Sequence, residues 1–485
     1  MIPLNRHAAQ PLADQIESGL AGLIERRQLP PGARLPSIRA LATQLAVSPN
    51  TVVLAYDRLA SAGRIESRGT AGYYVCEAPL MERDEAWLEA GDALEGVWLA
   101  QQANDQRPGV LLASSGALPP AWLEDAIPAA AVQRGLARSS AGMASRCPPQ
   151  GLPELRERIA LLLRGQGIAV DAHRLMTCYG GTHAIDLICR SFLRAGDTVL
   201  VEDPGYFLMF DRLRQEGVTP IAIRRRPDGL DLEQLEAACR EHRPRLLFLQ
   251  PVLHSPTGWG SSPANLYRLL VLARQYGVLI AEDDVHGHFH PGASGTSGPP
   301  SRLAALAGLE GVIYYSSFCK VMSPALRMGY IAAEPALLKP LLRAKICSVL
   351  SSAALNEYVL LEVLMAGRLR KHLDRLHGRL LQARMQASRL LGEAGLQLDH
   401  PGEGGLFLWA SVPAGVDVDE LVQDAWRNKI LLVPGATFSA LKTPDPHIRF
   451  NVAFSQQARL GDYLRSRLQA LSGVQDVLQR AAQRS

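Results

Sequence analysis

No run of about 18 apolar residues occurs in this 485-residue chain, so no membrane-spanning helix is expected. The opening stretch, "MIPLNRHAAQPLADQ", lacks the apolar core of a secretory signal. No C-x-x-C pair occurs among the seven cysteines, an odd and scattered set. That argues against a disulfide framework and for reduced thiols in a cytoplasmic protein. Disorder is excluded as well, because 47% of the residues are hydrophobic and only 20% are charged. A chain of this length exceeds one ordinary domain, and two or three are expected.

Net charge is a modest +4, but it is unevenly placed. Residues 1–76 carry eight arginines against five acids, whereas "EAPLMERDEAWLEAGDALE" (77–95) holds seven acids and one arginine. From residue 77 to the end, that acidic run included, 43 basic residues nearly balance 42 acidic ones. A basic head followed by an acidic joint points to a polyanionic partner for the head.

The head, residues 1–76, reads as three helices and a hairpin. "PLADQIESGLAGLIERR" repeats apolar residues at Leu12, Ile16, Leu20, Leu23 and Ile24, one face of a helix. "LPPGARL" breaks it, and "PSIRALATQLAV" predicts a short helix capped by Ser37 with Leu41 and Leu45 inward. In "SPNTVVLAYDRLASAG", Ser48 is placed as N-cap, Pro49 as the first helical residue and Gly63 as the stop. "RIESRGTAGYYV" has the Gly-rich centre and β-forming flanks of a hairpin. This is the order of a winged helix-turn-helix, whose third helix presents its N-terminal residues to base edges. Those residues are Ser48, Pro49, Asn50 and Thr51, with Arg39, Arg68 and Gly69 of the wing turn placed for the DNA backbone. A small helical domain in which Ser48 and Pro49 merely start a helix is the plainer alternative. The full string "LPSIRALATQLAVSPNTVVLAYDRLASAGRIESRGTAGYYV" resembles the GntR-type winged-helix DNA-binding domain, which implies double-stranded promoter DNA as partner. Pro49 departs from that pattern, standing where the family commonly has arginine.

Residues 77–110 are expected to be a linker, partly helical between Trp87 and Trp98. Beyond it, over 111–485, β-rich runs alternate with amphipathic helical stretches. "TVLVED" (198–203), "RLLFLQ" (245–250), "VLIAED" (278–283), "VIYYS" (312–316) and "GYIAA" (329–333) read as buried parallel strands. A doubly wound α/β layer is predicted, with its chemistry at the carboxyl ends of the strands.

Unusual residues gather at those ends. "TCYGGTHAIDLI" leads a Gly-Gly pair into a helix start suited to an anion. "EDPGYF" offers the flat face of Tyr206, "LHSPTG" is a loop, and "AEDDVHGHFH" ends a strand in acids and three alternating histidines. In "SSFCK" a lysine follows a buried strand. Ser317-Phe318-Cys319-Lys320 is formally S-x-x-K, but the companion S-D-N and K-T-G of penicillin-binding enzymes are missing. His286, His288 and His290 lack a clear fourth metal ligand, so no metal is assigned. A lysine, a strand-end carboxylate, a phosphate-binding helix start, an aromatic face and an arginine form the set a pyridoxal phosphate site requires.

The motifs "PGYF", "SPTG", "EDD", "SSFCK", "LRMGY" and "IRFNVAF" give the body, over about 110–470, a resemblance to fold-type I, class I aminotransferases. The resemblance implies that Lys320 carries pyridoxal 5'-phosphate as a Schiff base and that Asp283 pairs with its ring nitrogen. It implies further that Gly181, Thr182, Ser317 and Arg327 bind the phosphate, that Tyr206 stacks on the ring, and that Arg449 takes a carboxylate. Ser255 replaces an asparagine and His286 a tyrosine that contact the cofactor's phenolic oxygen. Arg146 replaces a tyrosine that reaches a neighbouring subunit. Head and body together resemble the MocR subfamily of transcription regulators, a winged helix-turn-helix domain joined to a transferase-like α/β domain. That implies a homodimeric sensor of an amino acid, an amine or a vitamin B6 species, with transamination secondary or absent. A working aminotransferase with a fused head, and a body serving only as scaffold, remain as alternatives.

Overall fold

The computed structural model describes residues 4–6, 11–25, 28–76, 96–104, 108–140, 146–292, 299–399 and 404–482. The acidic run 77–95 lies outside the described residues. The chain divides into two compact units, Met1–Asp92 and Ala93–Ser485.

The first unit holds α1 (Leu12–Glu25), α2 (Ile38–Leu45) and α3 (Pro49–Ser61), then an antiparallel pair, β1 (Ile65–Ser67) and β2 (Tyr73–Val75). The local signals act as expected. Ser37 Oγ accepts from Ala40 N–H at 3.2 Å, and Ser48 Oγ accepts from Thr51 N–H at 3.2 Å with Pro49 opening α3. Gly63 takes φ +66° just past the end of α3, a region open to glycine at little cost. Ile16, Leu20, Leu41, Val52, Tyr56 and Leu59 form the core, and Tyr56 Oη donates to Pro36 O at 2.8 Å across it.

The second unit is built on β3 (Leu175–Cys178), β4 (Thr198–Asp203), β5 (Thr219–Arg226), β6 (Gly229–Leu230), β7 (Leu246–Leu249), β8 (Leu279–Asp283), β9 (Val312–Ser317) and β10 (Gly329–Ala332). They form one sheet in the order β3-β10-β9-β8-β7-β4-β5-β6. Alternation along each strand feeds two separate cores, one per face. Val199 and Val201 of β4 join one, with Leu246 and Phe248 of β7, while Leu200 and Leu247 join the other. Both faces being covered explains why these strands read as continuous apolar runs.

The expectation that "GYIAA" runs parallel is corrected. β10 is antiparallel to both β9 and β3, with Gly329 opposite Ser317 on one side and Cys178 on the other. Residues 318–328 are too few for a parallel crossover, which needs a dozen or more, and they hold only the short turn Pro324–Leu326. The strands β9, β8, β7, β4 and β5 are parallel throughout.

A second, four-stranded sheet is added by β11 (Gln397–Leu398), β12 (Phe407–Ser411), β13 (Val433–Pro434) and β14 (His447–Asn451), in the order β11-β12-β14-β13. The helix Gly96–Asn104 packs on this unit through Leu99, which is 2% exposed. No described helix is long and apolar enough to cross a membrane.

Candidate functional site

Strand alternation decides which acid of the run Glu282-Asp283-Asp284 faces the ligand side. Glu282 turns away and accepts from Leu303 and Ala304 N–H at 2.9 and 2.7 Å, the first turn of the helix Leu303–Ala307. Asp284 turns away as well, holding Arg302 at 2.8 Å and the Tyr314 hydroxyl at 2.6 Å. Asp283 alone lines a cavity of about 390 Å³ at the carboxyl ends of the strands. Its Oδ1 accepts from Val285 N–H (2.9 Å) and its Oδ2 from the Tyr315 hydroxyl (3.1 Å). Enclosure pushes its carboxyl up to about 7, so a cation beside it would be stabilised.

Lys320 enters the same cavity from the loop after β9, and its Nζ donates to Gly116 O at 2.7 Å. Burial, with Arg449 nearby, lowers the amine to about 8, which leaves a useful fraction of it neutral and nucleophilic near neutral pH.

The phosphate cradle is built on the helix Gly180–Phe192. Gly180 adopts φ +82°, and a Cβ placed there would lie 3.1 Å from Cys319 Sγ, 3.2 Å from Arg327 Nη2 and 3.5 Å from Ser317 Oγ. Three chain segments thus converge on one point at a helix N-terminus, where Gly181 and Thr182 also line the cavity. A side chain would fill the space; glycine leaves it for an anion. Ser317 Oγ accepts from Cys319 N–H at 3.1 Å, and Arg327 Nη2 donates to Tyr179 O at 2.9 Å, so both are held in place. Tyr206 lines the cavity, hydrogen-bonded to Thr182, its phenol pushed up by burial.

His286 and Ser255 are held by a residue the motifs did not indicate. Gln250 Oε1 accepts from Ser255 N–H at 2.6 Å, which turns its NH2 towards His286 Nδ1 at 3.0 Å. Nδ1 is thereby the acceptor. Burial, with Lys320 close by, drives the imidazole down to about 3 and keeps it neutral. Arg449 is buried with no carboxylate partner among the described residues. Its Nη2 donates to Ser114 O (2.6 Å) and its Nη1 to Ser255 Oγ (3.2 Å), while its Nε makes no hydrogen bond. The guanidinium stands 4.5 Å above the Phe407 ring and 4.7 Å above Phe438, and burial lowers it to about 9. A carboxylate supplied by a ligand would relieve that cost.

All ten sequence-predicted cofactor and effector residues therefore line one cavity. Arg146 is exposed, while His288 stacks on Phe318 at 5.6 Å and His290 Nδ1 accepts from Gly292 N–H. Missed were Gln250, Tyr315, Cys319 and the Ser114–Gly116 backbone. Gln250 closes the run "RLLFLQ" and could have been found by its position at a strand end; Gly116 carries no local signal.

In the head, Ser48, Pro49 and Asn50 are exposed at the start of α3 and Thr51 is half-buried. Ser48 and Thr51 hydroxyls meet at 2.8 Å, leaving Asn50 as the amide that projects. Arg39 is exposed on α2. Arg68, in the wing, pairs with Glu66 at 2.6 Å and lies 4.6 Å over the Tyr74 ring, next to Gly69 at φ +61°.

Residues 109–466 match the family model for aminotransferase class I and II, and residues 12–75 that for bacterial regulatory proteins of the gntR family. The uncharacterized HTH-type transcriptional regulator YdcR of Escherichia coli is 30% identical over 95% of this chain and 99% of its own. The chain belongs to the MocR subfamily. Its GntR-type head is fused to a body of the aminotransferase class I and II family. The 2-aminoadipate transaminase of Thermus thermophilus is 29% identical over 76% of this MocR chain and 92% of its own length. Among solved structures, the α-aminoadipate aminotransferase LysN of the same organism, complexed with N-(5'-phosphopyridoxyl)-L-leucine, superposes with a TM-score of 0.70. It is 26% identical, over 81% of this chain and 99% of that one.

Proposed function

We propose that this MocR chain is a DNA-binding transcription regulator of the cytoplasm whose body holds pyridoxal 5'-phosphate at Lys320 and senses an amino compound or a vitamin B6 species. It acts as a homodimer on double-stranded promoter DNA. The observation that carries the reading is the convergence, in one cavity, of a lysine amine lowered to about 8, a carboxyl raised to about 7 and a glycine-based anion cradle. The amine and the carboxyl are groups whose charged state burial disfavours until a counterpart arrives.

Bound there, the cofactor would supply an aldehyde for amine condensation and an electron-accepting ring. The chain's own residues do the rest. Lys320 presents a partly neutral amine, Asp283 would hold a proton-bearing ring nitrogen, and the start of Gly180–Phe192 with Ser317 and Arg327 would take the phosphate dianion. Tyr206 would lie against the ring, the Ser255 hydroxyl would offer a hydrogen bond to a phenolic oxygen, and Arg449 would receive a carboxylate. Neutral His286, its Nδ1 accepting from Gln250 and its N–H held by the Leu253 carbonyl, would line the site without donating to it. In the head, Asn50 reads a base edge and Arg39 and Arg68 hold phosphates.

The test is a visible spectrum of the purified chain before and after borohydride, with peptide mapping of the reduced adduct. A yellow band trapped on Lys320 supports the site; a colourless protein after addition of pyridoxal phosphate removes it. Intact Lys320, Asp283 and Arg449 also favour a second reading, a catalytically active aminotransferase. Steady amino transfer to a keto acid, with DNA binding indifferent to every amine tested, would establish it instead.

A further inference from the structure

Part of the cavity wall is apolar and takes no part in the constellation above. Leu99, Ala100 and Ala103 come from the helix Gly96–Asn104, Phe207 and Leu208 from the start of the helix Phe207–Gln215, and Leu431 from the edge beside β13. This wall is continuous with Arg449. The guanidinium lies over the Phe438 ring, Phe438 meets Phe207 edge-on at 5.6 Å, and a Cβ on Gly96 would lie 2.5 Å from Phe207 Cδ2. The acids and bases among the described lining residues are Asp283, His286, Lys320, Arg327 and Arg449, and none of them comes from the two helices that build this wall. The amide on the wall, Asn104, donates Nδ2 to Ala100 O at 2.8 Å.

A ligand whose carboxylate meets Arg449 therefore lays its side chain against leucine, alanine and phenylalanine. A second carboxylate or an ammonium laid against those side chains would lose its hydration with no charge among them to meet it. The Asp211 carboxylate, 3.1 Å from a Cβ on Gly96 at the start of the helix, is already paired with Arg214. The helix Gly96–Asn104 is also the first described element of the body after residues 77–95, which join it to the head. It is seated by buried Leu99 and by Trp98, edge-on to Trp426 at 5.3 Å.

We propose that the effector is an α-amino acid with an uncharged, apolar side chain, and that the helix Gly96–Asn104 both selects that side chain and carries its presence outward. The inference rests on the function proposed above for the same cavity and names its ligand class. An effector shifts DNA affinity only by its difference in affinity for two states of the body, and contacts on this helix supply such a difference.

The experiment uses the full-length protein with L-leucine, L-phenylalanine, L-glutamate and L-lysine as probes, read by titration calorimetry and by tryptophan fluorescence. Leucine and phenylalanine are expected to bind at least about tenfold tighter than the two charged probes. Ala103→Trp, which fills the wall at a half-buried position, should weaken them about tenfold, and Ala103→Arg should shift preference towards glutamate. The fluorescence change should be lost in Trp98→Phe. Equal affinity for glutamate or lysine, or no effect of either Ala103 variant, overturns the ligand class. A fluorescence change that survives Trp98→Phe overturns the role of the helix. A chain that discriminates the probes yet shows no cofactor band would keep this inference and sink the cofactor assignment; a cofactor band without discrimination would do the reverse.

Discussion

The head and the body meet their partners on opposite terms. In the head, Arg39, Ser48, Pro49 and Asn50 are exposed. In the body, Lys320, Asp283 and Arg449 are enclosed, displaced to about 8, about 7 and about 9. A surface that reads a polyanion draws its affinity from counterion release and needs no stored cost. A cavity that reads a small molecule can hold groups whose charges are disfavoured until a ligand pairs with them. The difference teaches where each half is sensitive: the head to salt, the body to pH and ligand.

Four outcomes would sharpen or break that contrast. Lys320→Ala should abolish the borohydride-trapped adduct entirely, with DNA affinity in a gel shift staying within about twofold, since the head is a compact unit of its own. A collapse of DNA binding would show the two halves are not separable. Arg449→Met should weaken any carboxylate-bearing effector by about 10- to 100-fold in calorimetry, the worth of charge-assisted hydrogen bonds. If the effector is instead a simple amine or a vitamin B6 species, the change should be small. Asn50→Ala should weaken operator binding by about tenfold while leaving non-specific DNA binding and cofactor uptake in place, as expected for a base contact. Equal operator affinity would count against the placement of α3.

The smallest effect is in pH. The neutral amine attacks, so with Lys320 lowered to about 8 the rate of cofactor uptake should rise about fivefold between pH 7 and pH 8 and level off above about pH 9. An ordinary lysine would keep rising about tenfold per unit through that range. Stopped-flow absorbance distinguishes the two.

Much of this was legible in the residues. Ser37 and Ser48 cap the helices they were expected to cap, because capping is local chemistry. Asp283 faces the cavity between two acids that do not, because strand alternation is local too. What stayed hidden depends on closure of distant segments. The Gly116 carbonyl reaches Lys320 only because residues 111–114 pair alongside 429–433, far along the chain. Gln250 carries no motif, although it ties Ser255 to His286. The direction of β10 escaped as well, since an apolar run reports burial and not polarity; the brevity of 318–328 held that information.

That brevity has a further consequence. Lys320 and Arg327 share one connection, its ends pinned where Ser317 faces Gly329, and a Cβ on Gly329 would lie 2.7 Å from Gly180 Cα. The spacing between amine and anion cradle is therefore set by three backbones in contact, not by side chains that drift readily under substitution. Leu99, Ala100 and Ala103 belong to a different element and share none of those contacts. Cofactor grip and effector taste can then diverge independently: a lineage is free to exchange one small-molecule signal for another on the helix Gly96–Asn104 while the cradle stays as it is.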